Sequence, residues 1–194
     1  MLNRIAIKVT NHMENKGTFS PSDREIYFFG VYQGLFMILN IITMALIGLV
    51  SGAFLYVFVF ALAYIPLRSF AGGYHAKTQL RCYIASTAMI LFVVAASPII
   101  TLSIQMEIAL LLIFGVHIIV LSPVGHANKP LDDLEKKVYK KKAVKICIGN
   151  VAVALIFIPM GIQFITTGIL WALLMVLFFQ VLERLVGKKS EDAS

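Results

Sequence analysis

The chain has 194 residues, 59% of them apolar, with a mean hydropathy of +0.87 and a net charge of +7. A soluble domain carries about 45–50% apolar residues, and here the excess forms long blocks rather than a period-2 or period-3.6 pattern, which excludes a soluble protein with an oversized core. The only two cysteines, Cys82 and Cys147, lie in different segments, so no disulfide framework is implied.

Residues 1–16 come first. Leu2, Ile5, Val9 and Met13 recur at helical spacing, with Arg4, Lys8 and Lys16 supplying positive charge. This pattern predicts an amphipathic interfacial helix, with a solvated tail as the alternative. Arg4, Lys8, Asn11, His12 and Glu14 interrupt any apolar run, so no cleavable signal peptide is expected. Ser22 and Glu25 then form a capping-box pattern, and Pro21 also favours a helix start. Six apolar blocks follow, Tyr27–Val50, Ala53–Leu67, Tyr83–Thr101, Ile108–Val124, Val144–Ile162 and Phe164–Leu182. A spanning helix needs about 20 residues, so the second block is short and the fourth borderline. The expectation is an all-α integral membrane protein with about six transmembrane helices. It would form a single membrane-embedded domain over residues 1–194, with the transmembrane region at 27–182.

All 17 lysines and arginines fall in four segments: before the first block, between the second and third, between the fourth and fifth with Lys145 one residue into the fifth, and after the sixth. With six spans these segments share one side, and the positive-inside rule makes that side the cytosol. Both termini are therefore expected in the cytosol. So is the stretch RSFAGGYHAKTQLRCY, residues 68–83, at or just within the interface.

That stretch carries the chemistry. A cysteine nucleophile acts as the thiolate, and a neighbouring His or positive charge favours ionisation. His75 can serve as base and later as proton donor to Cys82, while Arg68, Lys77 and Arg81 add positive potential. Gly72 and Gly73 permit unusual backbone angles and close approach of a substrate, and their amides are oxyanion candidates. On a continuous helix, residues seven apart share a face but are separated by about 10.5 Å of rise. A His75–Cys82 dyad therefore requires a break between them, as a re-entrant loop or a loop ending where the third span begins. Spacing by itself leaves a plainer reading open, with Cys82 a small apolar residue and His75 an interfacial side chain. The remaining histidines, His12, His117 and His126, are scattered, so no metal site is expected.

Arg68, Gly72, Gly73, His75, Ala76 and Cys82 resemble the signature of the accessory gene regulator B family, integral-membrane cysteine endopeptidases of bacterial quorum sensing. The length and the basic-inside profile are similar too, and Ser122–Leu131, SPVGHANKPL, resembles a Pro-rich segment of that family. The resemblance implies Cys82 as nucleophile and His75 as its base, with Arg68, Gly72 and Gly73 as candidates for holding the substrate or its oxyanion. It implies a short autoinducer precursor peptide with an amphipathic N-terminal helix, a core and an acidic tail. Attack at the core–tail junction would release the tail, and the resulting thioester would close to a thiolactone or lactone. It further implies a homodimer in the bacterial cell membrane, with no metal or organic cofactor and no nucleic-acid partner.

Lys136, Lys137, Lys140, Lys141, Lys142 and Lys145 form a basic cluster that can attract an acidic precursor tail or anionic lipid, or simply anchor the chain. Asp132, Asp133 and Glu135 partly offset its field. His117 and Asn40 lie inside apolar blocks, where polar groups are costly and functional candidates by default. For His117 an interhelical hydrogen bond is expected. Ser86 and Thr87 lie one turn beyond Cys82, and nothing selects either as a third catalytic residue. Two competing functions remain at this point. One is a peptide transporter or exporter with a path lined by His117 and Asn40; the other is a non-catalytic membrane scaffold.

Overall fold

A computed structural model describes residues 2–74, 78–100, 102–125 and 132–191, with side chains described through residue 186. Its regular elements are helices: α1 (Leu2–Asn15), a short 3-10 turn (Pro21–Asp23), α2 (Arg24–Val50), α3 (Phe54–Ala71), α4 (Gln79–Ala96), α5 (Ile104–Leu121), α6 (Asp133–Phe157) and α7 (Gln163–Glu191). Five of the helical stretches are long and apolar enough to cross a membrane, those containing α2, α3, α4, α5 and α7. The remaining apolar block, Val144–Ile162, covers the second half of α6 and the turn that follows it, while the first half of α6 holds the lysine cluster.

The caps explain where the helices depart from the apolar blocks. Thr78 accepts a bond from the Arg81 N–H, and Ser103 accepts one from Met106, both at 3.3 Å. These caps start α4 and α5 four residues ahead of the apolar runs, because a polar N-cap satisfies amides that have no partner within the helix. The short second block gains its length at the other end, where α3 continues through Arg68 and Ser69 to reach 18 residues. That is about 27 Å at 1.5 Å per residue, close to the hydrocarbon thickness.

The capping box expected from Ser22 and Glu25 does not form. Ser20 already has the extended N-cap conformation, with Pro21 at the first helical position, so Ser22 falls inside the 3-10 turn and its hydroxyl bonds Ser20 Oγ at 3.0 Å. A capping box does form at α6, where Asp132 accepts from Glu135 N–H at 2.6 Å and Glu135 Oε2 accepts from Asp132 N–H at 3.3 Å. The acidic residues ahead of the lysine cluster therefore nucleate its helix, and Asp133 pairs with Lys136 at 3.3 Å.

α1 is a helix, and it packs on α2 through the small residues Ala6 and Thr10. Arg24 pins the pair, donating to Glu14 at 2.9 Å and Asn11 at 2.6 Å. Ile5 and Val9 stay exposed beside that contact. Hydrophobic side chains left outward on a helix pinned flat to the bundle suit a membrane interface.

α3 and α7 share the most extensive contact and form the centre, with Phe60, Leu67, Leu173 and Val176 fully buried. Helices in lipid gain little from hydrophobic association and rely on close packing at small residues. A Cβ on Gly168 would come within 3.1 Å of Val59, and one on Gly48 within 3.1 Å of the Phe54 backbone. α4 is held chiefly by α2, through Thr43–Tyr83 at 2.9 Å and Gln79–Gln33 at 2.7 Å. Leu46, Val50, Phe92, Ile99 and Val120 point outward, a surface suited to lipid rather than water.

Candidate active site

At the end of the bundle where α3 stops and α4 starts lies a cavity of about 610 Å³, with Cys82 on its wall. The break that a His75–Cys82 pairing requires is present. Helix α3 ends at Ala71, residues 72–74 are non-helical, and Thr78 caps a new helix with Cys82 in its first turn. Cys82, Ala85, Ser86 and Met89 recur at i, i+3, i+4 and i+7 on the cavity-facing stripe of α4. Cys82 is exposed. His75 itself lies outside the described residues, as do Ala76, Lys77 and the end of the Pro-rich stretch, 126–131.

The glycine pair has a packing reason to be glycine. Gly72 has φ +74°, and an added Cβ would sit 2.0 Å from the Val124 carbonyl oxygen. Gly73 has φ +125°, with the Phe179 carbonyl 3.0 Å from where its Cβ would be. The chain here is threaded between the end of α5 and α7, forming a single parallel bridge between Gly72 and Val124. The Gly72 N–H closes α3 by donating to the Arg68 carbonyl at 3.3 Å. Arg68 lines the cavity, donates through Nη2 to the Tyr74 carbonyl and lies 5.8 Å from the Phe179 ring centroid.

α6 brings the lysine cluster to the same end. Tyr139 lines the cavity, and Lys142 Nζ sits 4.8 Å from the centroid of Phe70, another lining residue. Lys136, Lys137, Lys140 and Lys141 are exposed along the same half-helix. Of the two residues beyond Cys82, Ser86 faces the cavity, whereas Thr87 bonds the Tyr83 carbonyl one turn back at 3.0 Å.

Two residues considered from the sequence play no part here. His117 Nδ1 bonds the Ile113 carbonyl of its own helix at 2.7 Å on an exposed face, so the expected interhelical bond is absent. Asn40 likewise bonds Phe36 within α2 at 3.0 Å. Each satisfies its polar group locally, at i−4, and neither lines a shared path. Other residues matter more than their sequence context suggested. Gln180, fully buried in α7, donates to the Ala71 carbonyl and to Ser122 Oγ, both at 3.0 Å. Asn150 ties α6 to α3 through the Ala63 carbonyl at 3.1 Å. The available signal was a lone amide inside an apolar run, since polar groups within membrane helices are retained where they find partners.

An all-helical bundle with lipid-suited outer faces and a thiol-bearing cavity at one end defines a polytopic membrane protein with a candidate thiol active site. The chain belongs to the accessory gene regulator B family, whose model matches residues 3–182. It is 31% identical to the accessory gene regulator protein B of Staphylococcus aureus (strain bovine RF122 / ET3-1) over 134 residues, which are 68% of this chain and 71% of the relative. It is 26% identical to the protein of that name from Staphylococcus intermedius over 126 residues, 64% of this chain and 66% of the relative. No solved structure matches the chain.

Proposed function

We propose that the protein is a membrane cysteine endopeptidase that matures a small quorum-sensing peptide precursor, with Cys82 as nucleophile and His75 as general base and acid. The observation that carries this reading is the exposed Cys82 thiol on the first turn of α4. It opens on a cavity whose wall bears Arg68 and the non-helical Gly72–Tyr74 backbone. The Cys82 thiolate attacks the carbonyl at the core–tail junction. The C–N bond breaks, His75 delivers a proton to the departing amine, and the core remains as a thioester. A thiol or hydroxyl of the core then attacks that thioester while His75 takes its proton, closing a ring and freeing Cys82. Acyl exchange between thiols is nearly neutral in energy, and holding both partners together makes closure effectively intramolecular.

The exposed lysines Lys136, Lys137, Lys140 and Lys141, with Lys142 at the cavity rim, would attract the acidic tail of such a precursor. The contact of Lys142 with the lining residue Phe70, and Tyr139 of the same half-helix on the cavity wall, support this role over anchoring alone. On this reading the protein is a homodimer in the bacterial cell membrane, with six crossings and both termini cytosolic. α6 provides the sixth crossing, its lysines reaching toward the headgroups. Reporter fusions at Gly52 and Gln105 should report the outside; a cytosolic signal there would overturn this topology.

The test of the activity is Cys82→Ala, which should abolish precursor cleavage. Replacing the ring-closing residue of the precursor by Ala should instead leave a hydroxylamine-sensitive Cys82 thioester under rapid quench. His75→Ala should stop turnover at neutral pH and recover partly at higher pH, because free thiols ionise unaided above about 8.5. Cleavage by Cys82→Ala would sink the peptidase reading.

A further inference from the structure

Where α3 ends, its last carbonyls lose their helical partners, and in a membrane protein each must find another. The Ala71 carbonyl accepts from the Val124 N–H at 2.9 Å and from Gln180 Nε2 at 3.0 Å. The Tyr74 N–H donates to the Phe179 carbonyl at 2.9 Å, and the Tyr74 carbonyl accepts from Arg68. Gln180 Nε2 also donates to Ser122 Oγ at 3.0 Å, just past the end of α5. Arg184, one turn along α7, donates to the Leu121 carbonyl at 3.3 Å. The wall of the thiol cavity is therefore held from α7, and Gln180 is fully buried at the point where the end of α3, the end of α5 and α7 meet. Gly72 and Gly73 lie too close to Val124 and Phe179 for this wall to shift without breaking those bonds.

We propose that Gln180 is a positioning residue for the thiol cavity. Its side-chain amide locks Ala71 and Ser122 into one register. That register fixes the Gly72–Tyr74 backbone, and with it Arg68 and the chain leading into residue 75, relative to Cys82. The inference rests on the reading of Cys82 as the nucleophile. Gln180 touches no reacting atom. It acts through the wall, and besides Cys82 the polar and titratable groups lining the cavity are Gln33 from α2, Tyr64, Arg68 and Ser69 from α3, Tyr74, Ser86 from α4 and Tyr139 from α6, with Lys142 against Phe70.

The full-length protein, with iodoacetamide as the probe, tests this without any substrate. At pH 7 Cys82 should be alkylated faster than free cysteine, as expected of a nucleophile held beside its base. Gln180→Leu should lower that rate about tenfold or more, because a wall out of register no longer holds its groups against the thiol. At about pH 9.5, where a thiol ionises unaided, the two rates should converge. A loss of access would slow both pH values alike and would overturn the proposal, as would an unchanged rate at pH 7. Cys147, buried in the core, reports folding: it should stay unlabelled in both proteins. If Gln180→Leu exposes Cys147, Ser122→Ala decides instead. A rate at pH 7 lowered about threefold or more supports the register, and an unchanged rate overturns it. If the unaltered protein's Cys82 reacts no faster than free cysteine, the peptidase reading fails; if it does and Gln180→Leu matches it, only the positioning role fails.

Discussion

Cys82 and Cys147 are the same side chain in two unlike settings. Cys147 is fully buried on the face of α6 that also buries Ala143 and Ala154, and its thiol donates to the Gly115 carbonyl of α5 at 3.6 Å. A Cβ on Gly115 would meet Val151 at 3.2 Å, so this crossing needs small residues on both helices. Cys82 is exposed, sits one turn into α4 beside a break in the backbone, and opens on a cavity lined by an arginine and several aromatic rings. One sulfur fills space and the other has room for a reacting partner. Burial makes a cysteine inert, whereas access and positive surroundings make it reactive. The neighbours decide the role.

Breaking each cysteine separates these roles most sharply. Cys82→Ala should reduce precursor cleavage by about 10⁴-fold or more, as expected when a covalent nucleophile is removed, whereas Cys147→Ala should stay within about twofold of the parent rate. Peptide cleavage followed by mass spectrometry reads both. Comparable losses in the two variants would erase the distinction.

Gly72→Ala attacks the backbone beside Cys82. The added methyl would sit 2.0 Å from the Val124 oxygen on a backbone with φ +74°, which should cost about 3 kcal/mol or more through strain and displaced packing. The thermal midpoint in detergent should drop by several degrees. A parent-like midpoint would show that the α3–α5 junction has slack.

Labelling sharpens the comparison without any substitution. In native membranes a maleimide should modify Cys82 at least about 100-fold faster than Cys147, because a buried thiol reacts only during local opening. After denaturation the two rates should agree.

Cys147→Ala should cost about 1 kcal/mol for one buried heavy atom, read as a small drop in the thermal midpoint, and leave Cys82 alkylation unchanged. A change at Cys82 would mean that the α5–α6 crossing and the cavity are coupled.

The smallest effect is electrostatic. Replacing Lys136, Lys137, Lys140 and Lys141 by Gln should weaken precursor binding about fivefold at low salt and less at high salt, since exposed charges are screened. Binding that is equally weakened at both salt concentrations would point to a changed α6 rather than a lost field.

Much of this was legible in residue order. Helix number, approximate spans, the amphipathic α1 and the distinctive stretch around Cys82 follow from periodicity, apolar length and motif, which are local properties of the chain. The helix starts were less legible, because polar caps such as Thr78 and Ser103 lie outside the apolar runs that mark a span. The pattern at Ser22 misled for a related reason: Pro21 and the extended conformation of Ser20 begin the turn earlier. His117 looked functional because polar groups in apolar blocks are costly, yet a carbonyl four residues back in its own helix satisfies it.

Composition, block length and the placement of charge by themselves determined a helical membrane protein, and the Gly-Gly-Tyr-His stretch with its family resemblance pointed to Cys82 rather than Cys147, because each depends on residues near one another in sequence. Only the tertiary structure decided that Gln180, 109 residues from Ala71, holds the cavity wall. It alone showed that the Gly72–Gly73 pair is required by contact with Val124 and Phe179, and that α6 brings Tyr139 to the thiol's cavity and Lys142 to the lining residue Phe70. Those facts arise where the ends of separate helices meet and their leftover backbone groups must find partners across the bundle, and a reading along the chain contains no distance between them.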